Sequence, residues 1–266
     1  NPVRALGTFD NPNYLGIFTV IILSYLTVRY FFGENDGRFP VLLFILIGLV
    51  IKVEFLTISR TALMGIALLF IILSAWAFWY YQHNKTVMIK IGALFLLTVV
   101  LFATASADFF YRLQEGLDFS SSTSFQGHLE RWGTAVGTIR ESPVFGWGTQ
   151  KYVMTTLVDN EYVLFTRRYG FVGLAVYLSF FFVPCILGIK QIRARIKKLG
   201  KGITFDIPAQ FIAAYIAVLP SILVFNIMGG ILYYLQLMAL FAISMGLVYN
   251  SLRTHSNQES EYRSSQ

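Results

Sequence analysis

Arg4, Arg60, Arg112, Arg131, Arg140, Arg167 and Arg168 stand in or beside polar segments that interrupt long apolar runs. Arginine presents a planar fork that grips phosphate oxygens two at a time and is less costly to desolvate than lysine, so this set suits a phosphorylated ligand. Surface ion pairs with neighbouring acids account for it equally well. Arg167 and Arg168 fall inside an apolar run, where charges are costly and point to a cavity, a partner or a pathway unless they snorkel to the interface. Lys52 and Glu54 present the same choice. His128 and Arg131 share one face of an amphipathic stretch, and Asp159 and Asn160 stand immediately ahead of the run that holds Arg167 and Arg168.

The elements that must position these side chains are helices in lipid. Hydrophobic residues make up 56% of the 266 positions and charged residues 13%, with a mean hydropathy of +0.61, too little polar surface for a soluble domain of this length. Seven runs can cross a hydrocarbon core of about 30 Å, at approximately 14–33, 40–58, 61–81, 87–107, 162–188, 208–227 and 231–250. Spanning segments must satisfy their own backbone, and the alternation of barrel strands is absent, so the fold class is all-α, a polytopic helical bundle. Residues 1–250 read as the membrane domain and 251–266 as a disordered cytoplasmic tail. The start at Asn1, in a polar loop, reads as a fragment or processed chain lacking earlier helices.

Orientation follows from KQIRARIKKLGKG, where Lys190, Arg193, Arg195, Lys197, Lys198 and Lys201 mark a cytoplasmic loop. Counting crossings back from it assigns the whole net charge of +7 to the inner side, which explains the basic pI near 9.5 without nucleic acid. The inner bases also suit anionic membrane lipids. Cys185 is the sole cysteine, so no intrachain disulfide and no cysteine-based metal site can form.

One long extracytoplasmic loop, 108–161, lies between the fourth and fifth runs. Its SSSTS at 120–124 reads as flexible linker. Leu129, Trp132, Val136 and Ile139 recur at helical spacing and predict an amphipathic helix lying on the membrane surface, ended by Ser142–Pro143. FGWG at 145–148 reads as a tight turn. Asn11, Pro12 and Asn13 read as helix-start chemistry, with Asn13 as the simplest N-cap. Tyr14, Trp132, Trp147 and Tyr162 fit an interfacial aromatic belt better than sugar stacking.

Four stretches together resemble the O-antigen polymerase and ligase superfamily: RALGTFDNPNYLG at 4–16, TISRTALMG at 57–65, HLERWGTAVGTIRESPVFGWG at 128–148 and DNEYVLFTRRYGFVGL at 159–174. The resemblance implies a helical membrane-embedded glycosyltransferase of the bacterial inner membrane, with its active site facing the periplasm or exterior. Its substrates would be oligosaccharides on polyprenyl pyrophosphate, with neither cofactor nor metal, and a chain-length regulator or flippase as possible partners. It implies pyrophosphate contacts at Arg4, Arg60 and Arg131, with Arg168 and Asn160 as further candidates from the last motif. Ligase members typically carry a His directly before that Asn; here the position is Asp159, which tilts the reading toward a polymerase. The family's Arg often stands four residues ahead of the loop tryptophan, where this chain has His128, so either His128 or Arg131 is the counterpart.

The implied reaction moves a glycan from one polyprenyl pyrophosphate to a sugar hydroxyl of another lipid-linked unit. Arg60 is the expected catalytic charge stabiliser. Asp159 is the first candidate base, with an ion pair to Arg167 or Arg168 or a helix cap as its competing role, and His128 is the reserve. The alternatives are a ligase on the same scaffold and a transporter or flippase. A repeated broken-helix pattern, common in transporters, is not visible.

Overall fold

The computed structural model describes residues 4–34, 39–81, 84–107, 109–111, 114, 123–148 and 158–264, with the side chains of 123–125, Tyr233 and 254–264 excepted. Arg112 and Ser120–Ser122 lie outside the described residues, whereas Thr123 and Ser124, expected as part of the same flexible linker, begin a helix. Among the described residues the chain is all-helical: α1 (Pro12–Phe32), α2 (Phe39–Thr57), α3 (Arg60–Tyr81), α4 (Lys85–Ala103), α5 (Thr123–Glu141), α6 (Glu161–Leu199), α7 (Ile207–Met228), a 3-10 turn (Ile231–Tyr233) and α8 (Leu235–Ser264). Seven are long and apolar enough to cross a membrane, all but α5. The expected polytopic bundle is therefore present, each span starting or ending within a few residues of its hydropathy limits.

Burial ranks the helices. Of the apolar windows, 67% of α1 and 61% of α7 is buried, against 17–33% of the others, so α1 and α7 form the centre. Lipid as apolar as leucine supplies no hydrophobic drive between helices, so close packing of small residues must hold them. In α7, Ala209, Ala213, Ala214, Ala217 and Ser221 are buried, and the Ser221 hydroxyl donates to the Gly65 carbonyl of α3 at 2.8 Å. In α1, a side chain at Gly16 would collide with Ala62 of α3 and press on the Glu54 carboxyl. Leu49, Ile71, Ile89, Phe95 and Leu96, on α2, α3 and α4, are 59–71% exposed and form the lipid-facing surface.

Helix ends obey local chemistry. Asn11, not the expected Asn13, caps α1: its side chain accepts from the Asn13 amide at 2.9 Å, and Pro12 occupies the first turn, where a missing N–H costs nothing. Asp206 caps α7 and also binds Arg195 at 2.8 Å, closing the basic end. There Tyr80 donates to the Ile203 carbonyl at 2.9 Å, and the Phe205 amide to the Phe32 carbonyl at 2.7 Å. α8 runs on from its apolar span to Ser264. A helix nucleated by the packed span propagates into polar sequence at little further cost.

Candidate active site

At the end opposite the basic loop, α6 is not one rod. Its 39 residues would reach roughly 58 Å if straight, nearly twice a hydrocarbon core. Gly170 breaks it, at φ 66° and ψ −170°. Phe165 stacks on Tyr177 with ring centroids 4.2 Å apart, whereas twelve residues along a straight helix span roughly 18 Å. The arm 161–169 therefore folds back beside the crossing that begins at Phe171. Arg167 and Arg168, expected inside a spanning apolar run, therefore sit on the arm before the break. Such a break within a helix occurs once among the described residues, at Gly170.

The break is filled by the turn after α5. α5 ends at Glu141, as Ser142–Pro143 predicts, and residues 143–148 bond to α6. The amides of Trp147 and Gly148 donate to the carbonyls of Arg167 and Arg168 at 3.0 and 2.7 Å; in return, the amides of Phe171 and Val172 donate to Pro143 and Val144 at 2.8 and 3.3 Å. Four backbone groups beside the break, the carbonyls of Arg167 and Arg168 and the amides of Phe171 and Val172, thereby find partners. Gly146, at φ 70°, and Gly170 have no room for a side chain, because one on either would fall onto the opposing backbone. The Trp147 indole donates to the Thr138 carbonyl at 2.9 Å and ties the turn back to α5.

So held, α5 lies beside the arm 161–169 of α6. Ala135 is buried, while Leu129 and Val136 of the apolar stripe are exposed. At the far end from the clasp, His128 and Arg131 reach Asp159: His128 Nδ1 lies 2.9 Å and Arg131 Nη1 3.0 Å from Asp159 Oδ2. The imidazole is close enough for charge contact but is not aligned for a hydrogen bond. Arg131 Nε also donates to the Gly127 carbonyl at 2.9 Å, which fixes its guanidinium. Side-chain exposure of 19% for His128, 32% for Asp159 and 40% for Arg131 leaves the cluster reachable from outside. Asn160 caps α6 by accepting from the Val163 amide at 3.1 Å. Asp159 thus pairs with Arg131, not with Arg167 or Arg168, and leaves capping to its neighbour.

Between the clasp and the ion cluster is a groove of about 370 Å³ lined by Val136, Ile139, Tyr162, Val163 and Phe171, with Arg140 on its wall. Arg168 lies within electrostatic reach of Glu161, a buried acid that hydropathy alone did not single out.

Arg4 and Arg60 occupy a second place on the same end, the turn between α2 and α3. Arg4 donates to the Thr57 carbonyl at 2.8 Å, the Ile58 carbonyl at 3.3 Å and Asn13 Oδ1 at 3.1 Å. It therefore secures the last carbonyls of α2, a role that cations fill well. Ile58, at φ 50°, is a β-branched residue in the left-handed region, a strained state that surrounding contacts must sustain. Beneath the turn, Glu54 is fully buried and accepts from the Thr19 hydroxyl. Ser59 immediately precedes α3, its hydroxyl accepting from the Ala62 amide at 3.3 Å. Arg60 is the first residue of α3. A cation there opposes the helix dipole, so its place is not explained by helix stability; arginine and helix terminus together favour an anion.

Fold and site together define a multi-pass helical membrane protein with a cationic, carboxylate-bearing site at the end opposite its basic loop. A family model described as O-antigen ligase matches residues 41–178, more than half of the chain, and the chain belongs to that family. The match runs from α2 through the early crossing of α6 and includes Arg60, His128, Arg131, Asp159, Asn160 and Arg168. No curated protein matches the chain.

Proposed function

We propose that this protein polymerises lipid-linked oligosaccharide units in the bacterial inner membrane, at a site facing the periplasm or exterior. The substrates are two oligosaccharides carried on polyprenyl pyrophosphate. The observation that carries the reading is the meeting of His128, Arg131 and Asp159 across the long loop, beside the arm that bears Arg168. The family match supports the reaction class, and the basic loop at the other end supports the orientation.

In this reading His128, rather than Asp159, is the base. Asp159 Oδ2 is already engaged by Arg131 and faces His128 Nδ1, which leaves Nε2 as the nitrogen that can accept a proton. The acceptor hydroxyl gives its proton to His128 Nε2 as its oxygen bonds to the anomeric carbon of the donor. The bond from that carbon to the pyrophosphate oxygen breaks, and its electron pair leaves on the pyrophosphate. Arg131 and Arg168 on one side, and Arg60 with Arg4 behind it on the other, supply charge for the leaving group. Asp159 balances the charge of the imidazolium by close contact.

Asp159 in place of the histidine typical of ligases favours polymerase over ligase. The deciding experiment is glycan analysis of a polymerase-deficient cell envelope complemented with wild type or Arg60→Ala at matched membrane levels. A ladder of repeat lengths, lost in the variant, supports polymerisation at this site. Transfer of preformed polymer to a new acceptor makes the protein a ligase, and an intact ladder with Arg60→Ala removes Arg60 from the site.

A further inference from the structure

We infer that the clasp between residues 143–148 and the Gly170 break is the device that registers His128 and Arg131 against Asp159, with Gly146 and Gly170 as positioning residues. The inference rests on the reading of that cluster as the working site. His128 and Arg131 belong to α5 and Asp159 to the start of α6, and an ion cluster this exposed contributes little holding energy of its own. The clasp is of a different kind. It makes four backbone hydrogen bonds across the break and admits no side chain at either glycine. The Trp147 indole bond to Thr138 transmits its position to the last turns of α5.

Geometry sets the consequence. His128 stands beside Asp159 while residues 143–148 stand beside 167–172, so α5 and the arm 161–169 run side by side in the same direction, joined at both ends. A shift of the clasp slides α5 along the arm and carries His128 and Arg131 off Asp159. Misplacement of catalytic groups by about 1 Å costs about 10² in rate. Gly146→Ala and Gly170→Ala, which force the opposing backbones apart, are therefore expected to lower glycan transfer by about that factor. Gly133→Ala on α5, where an added methyl meets nothing within 4 Å, leaves it unchanged.

Proximity is read separately from activity. In a Cys185→Ser background, His128→Cys and Asp159→Cys are joined by a short bis-methanethiosulfonate linker in the monodisperse, detergent-extracted protein. Replacing the ion pair leaves the clasp to hold the two positions together, so cross-linking yield measures its effect in folded molecules alone. We expect high yield with the native clasp and with Gly133→Ala, and a yield at least tenfold lower with Gly146→Ala or Gly170→Ala. Unchanged yield in both glycine variants overturns the inference. If the glycine variants give no monodisperse fraction, Trp147→Phe decides: it removes the indole bond, and reduced yield upholds the inference while unchanged yield overturns it. Yield lost with transfer activity intact upholds the clasp and instead overturns the assignment of the site.

Discussion

At Asp159 one oxygen serves two partners, and this sharing ranks the residues around it. Replacing His128 with Ala removes the proton acceptor, and glycan transfer is expected to fall by about 10² to 10⁴. Asp159→Asn keeps a side chain near the ring but loses the charge that balances it, so its loss should be smaller than that of His128→Ala; a larger loss would return the role of base to Asp159. Both are read as initial rates of ladder formation. Arg4 and Arg60 should separate in the same way. Arg4 spends its guanidinium on the Thr57 and Ile58 carbonyls, and charged hydrogen bonds contribute about 1.5–3 kcal/mol each. Arg4→Ala should therefore lower the melting temperature of the extracted protein, whereas Arg60→Ala should leave it unchanged and lower the rate by about 10² to 10³. Sequence motifs pointed to all four residues. They could not show that Arg4 faces its own backbone, because a hydrogen bond over more than fifty positions leaves no local pattern.

Among the elements, small residues decide how the central helices meet. Gly16 lets α1 approach α3, and a side chain there strikes Ala62 and the buried Glu54 carboxyl. Gly16→Leu should abolish recovery of monodisperse protein from membranes, whereas Gly92→Ala, which meets nothing within 4 Å on α4, should leave recovery unchanged. Equal recovery of the two would mean that α1 does not pack as described. The seven spans were legible because apolar length in lipid admits one solution, a helix. α5 was legible from the spacing of Leu129, Trp132, Val136 and Ile139. The fold-back of α6 was not, since Gly170 in RRYGFVG looks like any glycine in an apolar run. Its meaning lies in the turn some twenty-five residues upstream that fills the break, and FGWG by itself announced a turn without a partner.

For the whole molecule, charge and chemistry are segregated to opposite ends. Lys190, Arg193, Arg195, Lys197, Lys198 and Lys201 surround the junction of α6 and α7, and the arginine, histidine and aspartate cluster lies at the other end. Bases near span ends resist translocation, so the first group should face the cytoplasm and the second the outside. Thr134 on α5 and Lys197 at the basic end are both exposed, which makes them direct reporters. In intact cells carrying the Cys185→Ser protein, a membrane-impermeant maleimide should label Thr134→Cys at once and Lys197→Cys only after the membrane is opened. The reverse pattern would place the site on the cytoplasmic side, where a lipid-linked unit flipped outward is out of reach, and polymerisation at this site would fail with it. Replacing four of the six loop bases with Gln should weaken the preference and yield a mixed labelling pattern, because the bias that orients the bundle is spread over that loop rather than fixed by one residue.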